Sequence, residues 1–595
     1  MLTGNTVLVT FIKSPGWSCY YQDIARGWAK LKETNRRLVW ALSILVFFFL
    51  AAAARIWYIQ VARGEYYARM ALAGETMQVS LEDYPRGRIL DRNLAPLTGS
   101  YAANRVVVFP QLLEDPGAVA GRLAVLMGVD PGAVQAILSD KPVVLPYPVS
   151  GSLREAVERE GLKGVVVAPY TSRYGPRVLA AHVVGHLGRI EGQAEMEDLI
   201  HSSGKSYRLS DWTGRQGLEY FYEEELKGTY PYGFAGICTD ARGSLLPGLP
   251  VLVNTGLGDS TRCDIVTTID YGIQAVVERV MDRSISKGAV VVMDTASGDI
   301  LAMASRPNYN PDPAMLGHHS FYNDERFVNQ AVSCFQPGSV FKVVVAAAAL
   351  SEGVVKPDTP FQCRGAEDRP LRCWKPEGHG RITFSQAFAQ SCNPVFVKIG
   401  QDLGAQRLIA YARRMGLDNQ SVLGFPAAPD TRQNLDLIAG EYNLSNSSIG
   451  QGPVLATPLQ ITAMTNTVAS GGLYIKPRLV KEILPGKGRA VTIGPADPVR
   501  ALTPETACQV GKLMAGVTGE GVGQLAWVAR GGSAGKTGSA EIAGKDGMVN
   551  AWFSGYTPLD KPRYTITVLV REGVSGAESA APVFREIVGG IASGQ

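Results

Sequence analysis

The sequence predicts an α+β fold, on three observations. GAVVVMDTASGDILAMAS, residues 288–305, reads as a β-hairpin: an apolar strand, the turn Thr295-Ala296-Ser297-Gly298, and a second apolar strand. FQPGSVFKVVVAAAAL, residues 335–350, carries an unbroken apolar run from Val343 onward. A helix apolar on every side is one buried all round. Near the end of the chain, GKTGSAE, VNAWFSGYTP and RYTITVLVRE read as three further strands. Strands flanking a buried helix predict an antiparallel sheet with helices packed on it.

In chain order, residues 1–37 are polar and net positive, with Lys13, Arg26, Lys30, Lys32, Arg36 and Arg37 against Asp23 and Glu33. Leu38–Ala54 then carries no charge. At about 1.5 Å per residue this run nearly crosses a hydrocarbon core of about 30 Å. Arg55 can snorkel outward, and Trp57 and Tyr58 suit an interfacial belt. We therefore expect a transmembrane helix over 38–58, with a cytoplasmic N-terminus and everything after the span outside the membrane. A cleaved signal peptide is the rival reading, but the run is long for one and lacks a small-residue cleavage site. The helix is expected to continue outward through Met70.

Residues 59–260 are mixed and form the second expected region. His182 and His186 stand four apart in AAHVVGHLGRI, a spacing that can hold zinc on a helix. Gly185 and the β-branched neighbours argue against that helix, and no Glu follows the first His, so no metal site is expected. Residues 261–595 form the third region, and a helical pattern follows Asp270. A 595-residue chain accommodates these parts. Its net charge of +4 is not gathered into a basic cluster, which excludes a nucleic-acid binder. The eight cysteines show no C-x-x-C pair. Cys363 and Cys373 are close enough in sequence to bridge, Cys392 reads as a small packed hydrophobe, and His379 as a turn residue. No cofactor and no metal are expected.

The chemistry concentrates on Ser339 and Lys342. At a helix start, side chains three apart share a face, and unpaired N–H groups stand ready for an oxyanion. S-x-x-K occurs four times. Ser202 and Lys205 lie in a polar loop, Ser284 and Lys287 at a helix end with the wrong dipole, and Ser533 and Lys536 in a glycine-rich stretch. Only Ser339 opens a long buried helix. Downstream stand Ser391 and Asn393 in QSCNP, then Lys536, Thr537, Gly538 and Ser539 in GKTGSAE. S-x-N and K-T-G each occur once.

This ordered triple, S-x-x-K, S-x-N and K-T-G, resembles that of the penicillin-binding transpeptidases. The chain is identified as a member of their class B, and the resemblance runs from the expected anchor almost to the C-terminus. Arg86, Gly87, Asp91, Arg92 and Asn93 resemble a pedestal segment of the family, with Leu94 where the family has Gly. Gly217, Leu218 and Glu219 resemble a second pedestal segment. Gly450, Gln451, Gly452, Thr457 and Pro458 resemble a segment expected to shape the site floor. The resemblance implies a five-stranded antiparallel sheet with helices on both faces, preceded by a β-rich, non-catalytic, dimerisation-like pedestal over 59–260.

Ser339 is then the expected nucleophile. Lys342 is its base, provided that burial and the second cation Lys536 lower its pKa. Ser391 relays a proton, and Asn393 orients Lys342 and a substrate amide. Lys536, Thr537 and Ser539 meet the substrate carboxylate, and Gly538 allows close approach to the strand edge. The resemblance adds an oxyanion hole from the N–H groups of Ser339 and Ser539. The implied activity is D,D-transpeptidation of peptidoglycan stem peptides, with covalent capture of β-lactams. Alternatives are a carboxypeptidase or β-lactamase-like hydrolase, and a non-enzymatic sensor or scaffold. No E-D-x-x-F-x-x-H polymerase motif is found, so the implied partner is a multi-span glycan polymerase of the shape, elongation, division and sporulation family.

Overall fold

The computed structural model describes residues 17–64, 76–99, 101–175, 178–229, 233–238, 251–254, 259–316, 324–418, 421–425, 434–440, 442–542, 544 and 547–594. They fall into two compact units: residues up to 78 with 140–142 and 236–252, and the remainder. In the first, helix α1 (Trp17–Trp57) runs into a π-helical turn, Tyr58–Ala62. Its stretch Arg36–Val61 is long and apolar enough to cross a membrane and contains the expected span. The expected continuation to Met70 runs into residues 65–75, which lie outside the described residues.

In the second unit, strand Tyr101–Val108 pairs antiparallel with Val143–Val149 on one side and Val165–Ser172 on the other. Val106 and Val108, two apart and so on one face, pack with Leu123, Ala124 and Leu145 in a small core. Farther along, the two pedestal segments meet. Arg86 Nε donates to Glu219 Oε2 at 2.8 Å, Arg173 Nε to Glu219 Oε1 at 2.5 Å, and the Tyr174 hydroxyl to the same oxygen at 3.0 Å. Burial alone would raise the Glu219 carboxyl; Arg173 and Arg86 override it and hold it below its ordinary value. Asp91 accepts the backbone N–H groups of Asn93 and Ala95 at 2.7 Å each and of Tyr271 at 3.1 Å. It thereby ties its own turn to the start of α2 (Tyr271–Ser284). Leu94 keeps the glycine geometry of that turn, with φ 67°.

The central sheet has five antiparallel strands: β1 (Gly288–Asp294), β2 (Ile300–Arg306), β3 (Ala534–Glu541), β4 (Val549–Thr557) and β5 (Tyr564–Gly573), in the order β2-β1-β5-β4-β3. The hairpin between β1 and β2 is the expected one, and the Asp294 carboxylate holds its turn through the N–H groups of Ala296 and Ser297. Both faces are covered. Val290 and Val292 pack with Ile273 and Val277 of α2 and with Phe584 and Ile587 of the C-terminal helix Ala581–Ser593. Ala289, Val291 and Met293, on alternate positions, pack with Leu459 and Ala463 of the helix Pro458–Ala469. On that same side, Ala534, Trp552 and Leu569 join the largest core, around α3 (Lys342–Ser351), whose residues 342–349 are all buried.

Candidate active site

Ser339 does not lie in the α-helix itself. It sits in a 3₁₀ turn, Gly338–Phe341, and Lys342 is the first residue of α3. In 3₁₀ geometry the i and i+3 side chains eclipse, so the turn stacks the two residues more directly than an α-helix does. The turn is fastened on three sides. Gly338 N–H donates to Gly450 O at 2.9 Å, Phe335 N–H to Ala456 O at 3.0 Å, and the Trp552 indole to Gln336 O at 3.0 Å. A Cβ on Gly450, at φ 75°, would lie 2.0 Å from Gly338 O, so only glycine seats the turn this closely. That is the role of the 450–458 segment, for which the sequence supplied no chemistry. Ser339 is half-buried, whereas Lys342 is fully buried.

Two further segments converge on Lys342. Helices α4 (Phe384–Ala389) and α5 (Asn393–Leu403) are joined by Gln390, Ser391 and Cys392. Ser391 takes a left-handed φ of 53°, and Cys392, not Ser391, is the N-cap of α5. The Lys342 amine donates to Asn393 Oδ1 at 2.7 Å and to the Ser391 carbonyl at 2.9 Å, with Ser391 Oγ at 3.3 Å. From the other side, the Lys536 amine reaches Ser391 Oγ at 2.9 Å and Thr537 O at 3.1 Å. One hydroxyl is thus shared by two fully buried amines, walled by the rings of Phe396 and Phe388. Burial lowers Lys342 to about 7, and burial with the Lys342 charge lowers Lys536 well below its ordinary value.

Two family models match consecutive parts of the chain. The "Penicillin-binding Protein dimerisation domain" matches residues 82–249, and the "Penicillin binding protein transpeptidase domain" matches residues 288–589. The chain belongs to the class B penicillin-binding proteins. Among curated relatives, Stage V sporulation protein D of Bacillus subtilis is 29% identical, covering 94% of this chain and 85% of its own. Peptidoglycan D,D-transpeptidase MrdA of Acinetobacter baumannii is 25% identical, covering 92% of this chain and 87% of its own. The solved structure "Structural coordination of polymerization and crosslinking by a peptidoglycan synthase complex" aligns at TM-score 0.66 and 27% identity, over 92% of this chain and 97% of its own. The D,D-transpeptidase domain of a peptidoglycan glycosyltransferase from Eggerthella lenta aligns at TM-score 0.52 and 26% identity, over 61% of this chain and 95% of its own.

In this class B penicillin-binding protein the K-T-G strand is β3, at the edge of the sheet beside the Ser339 turn. Thr537 and Ser539 share one face of the strand; Lys536 and Gly538 share the other. Ser539 is exposed, and its hydroxyl accepts the Gly576 N–H at 3.0 Å. The surroundings of Gly538 give it a packing reason that the sequence did not show. A Cβ there would meet Pro337 O at 2.6 Å and Val340 Cγ2 at 2.7 Å. The glycine lets the Ser339 turn close on the strand.

Of the remaining S-x-x-K pairs, only Lys536 reaches the cluster around the Ser391 hydroxyl. Lys205 is taken up by the carbonyls of Lys227 at 2.7 Å and Thr261 at 3.0 Å. Ser284 ends α2, and Lys287 pairs with Glu325 and Glu572. Ser533 is fully buried and donates to Ala526 O. His182 lies in a one-turn helix, Ala181–Val184, ended by Gly185 at φ 85°, and its Nε2 meets Arg326 O at 2.8 Å. His186 meets the Tyr309 ring edge-on and the Phe327 ring at a tilt.

Proposed function

We propose that this chain is a serine-type peptidoglycan D,D-transpeptidase acting through a Ser339 acyl-enzyme. The observation that carries the reading is the buried Lys342–Ser391–Lys536 chain beside a half-exposed serine. Lys342, with its amine lowered toward neutrality, accepts the Ser339 proton as Oγ attacks the carbonyl between the two D-Ala residues of a stem peptide. The backbone N–H groups of Ser339 and Ser539 bind the oxyanion. As the tetrahedral intermediate collapses, the C–N bond breaks and the Ser391 hydroxyl delivers a proton to the departing D-Ala amine. Ser391 recovers its proton from Lys342, which had taken it from Ser339 and is thereby a free amine again. A neighbouring stem-peptide amine then attacks the acyl-enzyme and loses its proton to Lys342; the bond from the carbonyl carbon to Oγ breaks, and Lys342 returns that proton to Ser339. Asn393 holds the Lys342 amine and a substrate amide. Thr537, Ser539 and the Lys536 charge take the terminal carboxylate. A β-lactam enters by the same attack and stays.

The proposed division is a cytoplasmic tail over 1–37, a membrane span over 38–58, a pedestal over 59–260 and the transpeptidase domain over 261–595, with the catalytic part outside the membrane. The proposed partner is a multi-span glycan polymerase. The similar solved structure, of a peptidoglycan synthase complex that coordinates polymerization and crosslinking, supports that partnership. The test is a reconstituted membrane assay with lipid II and such a polymerase, read as crosslinked muropeptides. Crosslinked dimers that vanish in Ser339→Ala are expected. Release of D-Ala without dimers would replace the reading with hydrolysis.

A further inference from the structure

Strand β3 carries two charged residues, Lys536 and Glu541, and the proposed reaction uses only the first. The Lys536 side chain turns into the core and reaches Ser391. Glu541 is the last residue of the strand and is exposed. Among the described residues its carboxylate makes no ion pair and no side-chain hydrogen bond. Glutamate is depleted from β-strands, because a strand offers it little to pack against. Here it ends the strand that borders the Ser339 turn, where a ligand can supply its partner.

The geometry says which part of a substrate comes within reach. Thr537, Ser539 and Glu541 stand at alternate positions and share one face, and Ser539 and Glu541 are the two exposed residues of the strand. β3 is an edge strand, so an extended peptide can lie along it as a further strand. Under the proposed transpeptidase reading, on which this inference rests, the terminal carboxylate meets Thr537 and the scissile carbonyl meets the Ser539 N–H. The stem therefore runs from 537 toward 541. Glu541 stands two residues, about 7 Å, beyond Ser539. Two residues of extended substrate cover the same distance: the D-Ala that becomes the acyl group, and the residue before it.

We propose that Glu541 is a specificity-determining residue that binds the side-chain ammonium of the residue preceding the D-Ala pair in the stem that acylates Ser339. The amine that resolves the acyl-enzyme belongs to a side chain of a like stem, so such stems carry a diamino residue that is cationic until it reacts. Val549 lies directly opposite Glu541 on the same face, and Val574, beside the Gly573 that pairs with Val549, is exposed. They give the methylene stem of a long cationic side chain an apolar wall. The strand thus presents a cation for the carboxylate end of the stem and an anion for its ammonium, and it disfavours stems or β-lactams with an anionic group at that place.

The test uses three penicillins with side chains of equal length, ending in an ammonium, a methyl or a carboxylate. Their second-order acylation rate constants are measured on the full-length protein in detergent, and the ratios are compared within each folded variant. Wild type should prefer the ammonium to the methyl compound about two- to fivefold at low ionic strength, the range that an exposed ion pair supplies. It should disfavour the carboxylate compound by a similar factor. Both ratios should shrink toward one at about 1 M salt, where the screening length is about 3 Å. Glu541→Gln should bring them to about one at low salt, and Glu541→Lys should invert them. A wild type that treats the three compounds alike, or a preference that survives Glu541→Gln, would overturn the assignment while leaving the acyl-enzyme reading in place. Absence of a Ser339 adduct with every compound would overturn that reading, and this inference with it.

Discussion

Replacing Lys342 by Arg separates a base from a mere positive charge. The Lys342 amine is fully buried, contacts Asn393 and Ser391, and is lowered to about 7 by that burial. Near neutral pH a large fraction is therefore a free amine able to accept the Ser339 proton. A guanidinium keeps its charge in proteins and cannot act as a base. General-base catalysis contributes about 10²–10⁴ in rate. Taking the middle of that range, Lys342→Arg should slow penicillin acylation about 10³-fold, a barrier increase of about 4 kcal/mol at about 1.36 kcal/mol per decade. Lys342→Ala should fall within about tenfold of the Arg variant, because both lack the base. The assay is stopped-flow acylation by a fluorescent penicillin, with thermal unfolding recorded to show that each variant is folded. A folded Arg variant that acylates within about tenfold of wild type would refute the base role.

Three further outcomes follow from the same structure. Because Lys342 titrates near 7 in the fold, acylation by penicillin should rise with pH through about 7. The folded-state value is depressed relative to the unfolded one, so the unfolded chain binds more protons between about 7 and 10.5 and stability should climb with pH across that window, as followed by denaturant titration. Glu219→Ala leaves Arg173 and part of Arg86 as uncompensated buried charge, and should cost about 3–5 kcal/mol of stability by thermal or urea unfolding. Gly450→Ala forces a left-handed alanine, about 1–2 kcal/mol, and a clash with Gly338 O, about 1–3 kcal/mol. A loss of about 2–5 kcal/mol, with slower acylation, should appear in unfolding and labelling assays.

What the sequence made legible was whatever announces itself locally. The β1–β2 hairpin shows as two apolar runs around Asp294-Thr295-Ala296-Ser297-Gly298, and α3 as a run with no polar side. Lys342, Ser391 and Lys536 were named from three short motifs, and the fold brings the two amines onto the one Ser391 hydroxyl. The hidden parts depend on contacts between distant segments. The 3₁₀ turn at Gly338–Phe341 is set by its seat on Gly450, and the need for Gly538 comes from Pro337 and Val340, some 200 residues earlier. Leu94 was read as a departure from glycine, yet the turn imposes the left-handed conformation on it. Cys363, Cys373, His379 and Cys392 carry no C-x-x-C spacing, yet the fold gathers them within 4.8 Å of one another, with close backbone crossings at Gly365 and Gly378.

The central claim, that Ser339 is the nucleophile, is tested most directly by locating the covalent adduct. The full-length protein is labelled with penicillin, digested with trypsin, and the penicilloyl mass assigned by fragmentation. The account predicts one adduct, on Ser339, absent from folded Ser339→Ala protein. An adduct on Ser202, Ser284, Ser391 or Ser533, or labelling that persists in Ser339→Ala, would contradict it.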